Sequence, residues 1–471
     1  MTTLPTQQPL RRGTRAGRGA LAAVTLGSGM ALLDGTVVNL AVPTIGRELG
    51  ASLAQVQWVV NGYLLSLAAL ILVSGALGDR VGRRRVYVVG IALFALASLA
   101  CAVAQDPTQL ILARVIQGVG GALLTPGALA VIQASFAAED RAAAIGTWAG
   151  TSGIAAALGP FVGGFLLDHG GWRWIFAINL PIAAAVMLLV WRFVPESRNP
   201  QASGGLDGVG AVLTVAGLGL LTWGLIGASD GPLGRTVFGC CGGLALLAGF
   251  TAYERRAPRP LVPMDLFGSR VFSAANGMTF LVYGALGAVM FFLVIQLQVS
   301  SGFSPMASGL ASLPVTAALF ALSSRAAALG QRIGPRVPMT VGPLVCAVGV
   351  ALMSGVGAGT RYWTGVFPGM VLFALGLAAL VSPLTAAVLA AAPDRLAGTA
   401  SGINNAVARA GSLLAVAALP PLVGLTGDAY ADPAAFTAGY RPAMLACAAL
   451  LAGGGIVSWF GLAGTRGRTG R

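Results

Sequence analysis

Charge is scarce in this 471-residue chain: Asp, Glu, Lys and Arg together make only 9% of it. Soluble chains carry about 25% charged residues, so a water-facing surface of this size could not be covered. Lysine is absent, and all 29 basic residues are arginine. There is one histidine, His169, which excludes a histidine-based catalytic or metal site. No metal and no cofactor is expected. The five cysteines, Cys101, Cys240, Cys241, Cys346 and Cys447, lie inside apolar runs with no metal or disulfide spacing, and read as small buried hydrophobes. Disorder is excluded from the other direction, because 56% of the residues are hydrophobic.

What is abundant is long apolar sequence. A membrane span needs roughly 20 apolar residues. Runs of that length lie near 19–42, 56–77, 86–104, 110–134, 142–166, 174–191, 209–227, 236–253, 271–296, 306–329, 338–358, 363–391, 399–425 and 442–463. Helices satisfy their own backbone hydrogen bonds, which lipid cannot do. The fold class expected is therefore an all-α membrane protein with 14 transmembrane helices. The first run follows Arg11, Arg12, Arg15 and Arg18 like a signal peptide, but it is too long for one and leads into further spans.

Alternating the loops from a cytoplasmic N-terminus places 21 arginines inside, five outside and three within runs (Arg114, Arg325 and Arg409). That asymmetry obeys the positive-inside rule and puts both termini in the cytoplasm. It requires an even number of spans; removing the pair 209–253 would leave it unchanged. The formal charge of +14 comes from short loops and tails, which argues against nucleic acid as a partner.

The segment Gly75–Arg85, GALGDRVGRRR, recurs weakly as ALGQRIGPR at 328–336, and Glu139-Asp140-Arg141 is echoed by Pro393-Asp394-Arg395. Two copies of one six-helix bundle are expected. The layout is then a tail at 1–18, a bundle at 19–191, a linker with two extra helices at 192–270, a second bundle at 271–463 and a tail at 464–471. Parallel repeats in a membrane chain point to a transporter with its site between the halves.

One acid stands apart. Of the fifteen, Asp34 alone lies deep in an apolar run. A charged Asp at a helix centre costs about 2.5–3.5 kcal/mol on insertion scales. It must face a cavity, pair with a cation or take up a proton. Arg114, about one turn inside its run, is a candidate partner. Either a proton-carrying role or a structural ion pair accounts for the two.

Four motifs carry a resemblance. Gly75-x-x-x-Asp79-Arg80-x-Gly82-Arg83-Arg84 matches the loop motif between the second and third helices of the major facilitator superfamily. Leu33-Asp34-Gly35-Thr36-Val37-Val38-Asn39-Leu40-Ala41-Val42-Pro43 is similar to the first-helix motif of that superfamily's drug:proton antiporters with fourteen helices. Arg114-Val-Ile-Gln117-Gly118-Val-Gly120-Gly121-Ala122 resembles their fourth-helix motif. Gly150, Gly153, Gly159-Pro160, Gly163 and Gly164, followed by Trp172-Arg173-Trp174-Ile175-Phe176-Ala177-Ile178-Asn179-Leu180-Pro181, look like their fifth-helix antiporter motif and its sequel.

The resemblance implies two six-helix bundles of the major facilitator fold with two extra central helices, and no enzymatic activity. It implies proton coupling at Asp34 and Arg114. It makes Gly75, Asp79, Arg80, Gly82 and Arg83 a conformational latch, and Gly153, Gly159, Pro160, Gly163 and Gly164 the antiporter motif. In the second copy Gln331 replaces the aspartate, so no matching latch is expected there. Asn39, Trp58, Tyr63, Gln117, Asn276, Tyr283, Asn404, Asn405 and Arg409 are candidates for the substrate cavity, although Trp58 also fits an interfacial anchor.

The expected function is proton-coupled export of drugs or antibiotics, or of a single secondary metabolite. The expected partners are a small-molecule substrate, protons and the lipid bilayer. The arginine-rich, lysine-free composition looks bacterial, which places a monomer in the cytoplasmic membrane. A membrane-embedded enzyme or receptor would need a catalytic cluster or a soluble ligand domain, and the hydrophilic stretches are too short for one.

Overall fold

The structure is a computed structural model describing residues 9–198, 207–229, 231–427, 429 and 432–463. Among the described residues, fourteen long helices follow one another, and their ends are set by local chemistry. They are α1 (Arg15–Leu49), α2 (Leu53–Val81), α3 (Arg83–Val103), α4 (Pro107–Ser135), α5 (Ala138–Gly170), α6 (Arg173–Phe193), α7 (Gly208–Gly227) and α8 (Leu233–Glu254). The rest are α9 (Arg270–Ser300), α10 (Pro305–Ile333), α11 (Arg336–Met353), α12 (Tyr362–Ala390), α13 (Ala397–Leu422) and α14 (Pro433–Gly461). Thirteen are long and apolar enough to cross a membrane. The other, α5, has 33 residues and covers the run expected at 142–166.

The helices outrun the apolar stretches because polar residues cap them. Thr14 and Ser52 accept backbone N–H bonds at the starts of α1 and α2, with Gln55 returning the bond at Ser52 as a capping box. Asp106 and Asp432 do the same ahead of Pro107 and Pro433 at the starts of α4 and α14. Gly82 makes the tight link between α2 and α3 at φ 124, where a side chain would be strained and would meet Glu196.

The two sets of six helices pack by one pattern. In the first, α1 packs on α4, α5 and α6, and α4 and α6 pack on α3, with α2 against α4. In the last six, α9 packs on α12, α13 and α14, and α12 and α14 pack on α11, with α10 against α12. The weak sequence repeat therefore marks a repeat of packing. The sets meet along two related seams, α2 with α13 and α5 with α10.

The seams differ along their length. At the distal end, which carries Leu49, the halves are closed. Gly164 lies against the Met306 backbone, Gly309 against the Pro160 carbonyl, and Gln298 donates to the Leu40 carbonyl at 2.9 Å. Gln57 donates to the Val416 carbonyl at 2.8 Å, and Leu53 N–H to the Gly427 carbonyl. At the proximal end, which carries Arg15, α5 and α10 part. Gly146 and Gly150 face open space, and Leu313–Ile333 has no buried residue. The α2–α13 seam stays shut further down, with Gly402 against Leu72.

The extra pair, α7 and α8, is a tight hairpin in which Gly224 and Gly239 bring the backbones together. Its α7 covers the closed seam, packing Leu218 with Ala68, Ala69 and Leu413. Cys241 of α8 is exposed, in contrast to the burial expected of the cysteines.

Candidate functional site

Asp34 and Arg114 meet in the first six helices and are 0% and 1% exposed. Arg114 Nη1 donates to Asp34 Oδ2 at 2.6 Å. The other carboxylate oxygen, Oδ1, accepts from Gln117 Nε2 at 2.8 Å and from Asn179 Nδ2 at 3.1 Å. Ser98 Oγ accepts from the same two amides, which ties α3 into the cluster. Arg114 is also held from its other side. Its Nε donates to the Val59 carbonyl at 3.1 Å, and its Nη1 donates to Gln117 Oε1 at 2.6 Å. Its guanidinium lies over the Tyr63 ring at 4.5 Å and near Phe176 at 5.7 Å.

A buried ion pair survives only when its remaining donors and acceptors are matched. Here all three partners of the carboxylate are donors, which suits a carboxylate carrying its charge.

The motif spacing explains how four helices come so close. One turn below Arg114, Gly118 lets α4 approach the Tyr63 backbone of α2. Gly120 lets the opposite face of α4 approach Phe94 and Gly90 of α3. A Cβ at either place would meet backbone, so small residues are required. Helix α6 breaks at Ile178, between Arg173–Ala177 and Asn179–Phe193, and the break delivers Asn179 to Asp34.

The antiporter motif faces two ways. Gly159 and Gly163 seat α5 against Thr36 and Val37 of α1, next to the ion pair in sequence. Gly164 and the Pro160 carbonyl meet α10 of the other half. The surroundings of Gly153 lie outside the described residues. The loop motif is engaged within its own half: Asp79 pairs with Arg83 at 2.8 Å, Arg84 donates to the Trp191 carbonyl at 3.0 Å, and Arg85 lies 3.7 Å from Glu196. Gly75 lies beside Pro126 of α4, and Arg80 has one buried nitrogen, Nη1, without a hydrogen-bond partner.

The cavity candidates divide. Tyr63 and Gln117 belong to the ion-pair cluster. Asn404 donates to Thr279 Oγ1 at 2.8 Å and to Asn276 Oδ1 at 3.2 Å, which joins α13 to α9 as a packing contact. Asn405 is exposed and bonds only its own helix, at the Ser401 carbonyl. Asn39, Trp58, Tyr283 and Arg409 are half-buried. Gly35, next to the sealed Asp34, is exposed with open space beside it. Since α1 is covered by α4, α5, α6 and α9, Gly35 faces the space between the halves. Asn179 and Ser98 are the site residues that sequence reasoning missed; a polar residue at the break of the sixth run was the available signal.

Three kinds of comparison agree with this architecture. The family model described as Major Facilitator Superfamily matches residues 24–416. The tetracenomycin C resistance and export protein of Streptomyces glaucescens is 36% identical over 421 residues, 88% of this chain and 77% of that protein. The methylenomycin A resistance protein of Bacillus subtilis is 34% identical over 456 residues, 96% of each. A Mycobacterium tuberculosis multidrug resistance protein, Stp, is 34% identical over 88% of this chain and 77% of its own length. Among solved structures, a bacterial homolog of the human lysosomal transporter Spinster, in an inward-facing and unoccupied conformation, superposes with TM-score 0.68 at 18% identity, over 95% of this chain and 97% of that one. A D-xylose–proton symporter gives 0.65 at 15% identity, over 96% and 99%. With its doubled six-helix packing, its ordered motifs and these matches, the chain belongs to the major facilitator superfamily of membrane transporters.

Proposed function

We propose that this chain is a proton-driven exporter of drugs or antibiotics, of the fourteen-helix drug:proton antiporter branch, acting by alternating access in a bacterial cytoplasmic membrane. It works as a monomer with both termini in the cytoplasm, so the open proximal end faces the cytoplasm. The observation that carries the reading is the sealed Asp34–Arg114 bridge in a molecule whose α5–α10 seam is closed at the distal end and parted at the proximal end.

In this arrangement substrate enters from the cytoplasm while Asp34 is ionised. The two bundles, 19–191 and 271–463, then rock about their seams, parting the distal contacts at Gly164 and Gly309. Substrate leaves outward, a proton from outside settles on Asp34 and releases Arg114, and that proton passes to the cytoplasm when the protein next opens inward and the bridge re-forms. The Asp79–Arg83 loop acts as the latch: paired within its own half here, it engages the other half when the cavity faces outward. One carboxylate implies one proton per cycle, and the membrane potential adds about 2.3 kcal/mol per charge per 100 mV.

The names of the relatives favour a second reading, export of a single secondary metabolite, since two of them are named for one antibiotic each. A drug-susceptibility panel in an efflux-deficient host tests both. Wild type is expected to raise resistance to several compounds, or to one in the second reading, and Asp34→Asn to abolish it. Full resistance retained by Asp34→Asn would sink the proton role.

A further inference from the structure

Arg409 stands in the middle of α13, with about 12 residues of helix on either side, so roughly 18 Å of rise separates it from each end. That is farther than its side chain can snorkel. Among the described residues no carboxylate pairs with it, and it makes no hydrogen bond with another group. Its nitrogens are not among the buried orphan atoms, and the residue is half-buried. It is therefore a cation held open to the space between the halves.

Its neighbours sharpen the picture. Arg409 lies within electrostatic reach of Tyr63 from the first half and Tyr283 from the second. Asn405, one turn away on the same face, is exposed. The Asp34 and Arg114 charges cancel each other in their sealed cluster. Arg325 is exposed in the proximal part of α10, where that helix has no buried residue. Arg409 thus leaves an uncompensated positive charge at the site, and an unpaired arginine at membrane depth is costly unless something anionic meets it.

We infer that Arg409 is the anchor for an organic anion, and that the exported compounds are planar aromatic acids bearing a carboxylate or an acidic phenolate. The guanidinium fork takes the anionic oxygens, and the half-buried Tyr283 supplies aromatic surface and a hydroxyl donor. The Tyr63 ring is covered by Arg114 at 4.5 Å and also lies within reach of Arg409. Tyr63 itself is buried, so a ligand on Arg409 lies near the ion-pair cluster and acts on it through charge. The inference deepens the export reading, but the recognition it describes does not require transport.

The test uses two dyes with the same three-ring frame and opposite charge, fluorescein as the anion and rhodamine 123 as the cation. Binding to the purified full chain in lipid nanodiscs is read by fluorescence anisotropy, and proton-driven movement in inverted vesicles. Wild type is expected to bind fluorescein at least roughly tenfold more tightly, the scale of one charge-assisted hydrogen bond. Arg409→Gln should lose that preference, Arg409→Lys should keep part of it, and Arg409→Glu should reverse it. No preference for fluorescein in wild type, including no binding of either dye, overturns the inference, as does a preference that survives Arg409→Gln. Selective binding without proton-driven movement leaves the anion site standing and removes the export reading. Movement of rhodamine 123 in preference to fluorescein does the reverse.

Discussion

Arg114 and Arg409 both sit deep within helices, in opposite halves of the molecule, and their surroundings contrast at every point. Arg114 is sealed, paired with Asp34 at 2.6 Å, bonded to Gln117 and the Val59 carbonyl, and stacked on Tyr63. Arg409 is half-buried, has no acidic partner among the described residues, and faces the space that opens at the proximal end. A charge that is fully matched can be moved only by changing its partner, and in the proposed mechanism that change at Asp34 is a proton. A charge left unmatched in an open space is available to a ligand. On the proposed reading the doubled packing of this chain holds two different electrostatic devices, one for protons in the first half and one for an anionic substrate in the second.

Matched substitutions can break this contrast, and the arginines should give the largest difference. Arg114→Ala leaves Asp34 buried and uncompensated, which typically costs about 3–5 kcal/mol. Arg409→Ala removes an unpaired cation at membrane depth and is expected to leave stability unchanged or raised. Thermal unfolding of the detergent-purified chains compares them. Equal losses would mean that Arg409 has a structural partner after all.

The asparagines should show the same contrast at smaller size. Asn179→Ala removes one donor from Asp34, and a hydrogen bond to a charged group is worth about 1.5–3 kcal/mol. Proton-driven efflux in inverted vesicles should fall roughly tenfold if most of that change reaches the coupling step. Asn405→Ala removes only a bond to its own helix and should leave the vesicle proton response intact, whatever it does to substrate choice. A larger coupling defect from Asn405→Ala would contradict the division of labour.

Much of the ion-pair cluster was legible in the sequence for one reason: charge is so rare that Asp34 and Arg114 stand out individually. Gln117 came with the fourth-helix motif and Tyr63 as a cavity candidate. Asn179 and Ser98 escaped because a single polar side chain inside an apolar run does not reveal which neighbour satisfies it. That depends on the break at Ile178 and on how closely Gly118 and Gly120 let α4 approach. The helix order followed from the runs, while the helix ends were set by caps such as Thr14, Ser52 and Asp432 beyond the apolar stretches. Closure at the distal end and opening at the proximal end could not be read, because both seams use similarly small and apolar residues. The same holds for Asp79, whose partner Arg83 is one turn away, although the loop could equally have reached across to the other half.

The central claim is that Asp34 carries the proton exchanged for substrate. Proteoliposomes holding the purified chain and an internal pH dye test it directly when an outward substrate gradient is imposed without a proton gradient. Wild type should move protons in the opposite direction to substrate, one for each molecule, while Asp34→Asn should move none yet still bind substrate. Substrate-driven proton movement that persists undiminished in Asp34→Asn would contradict the account.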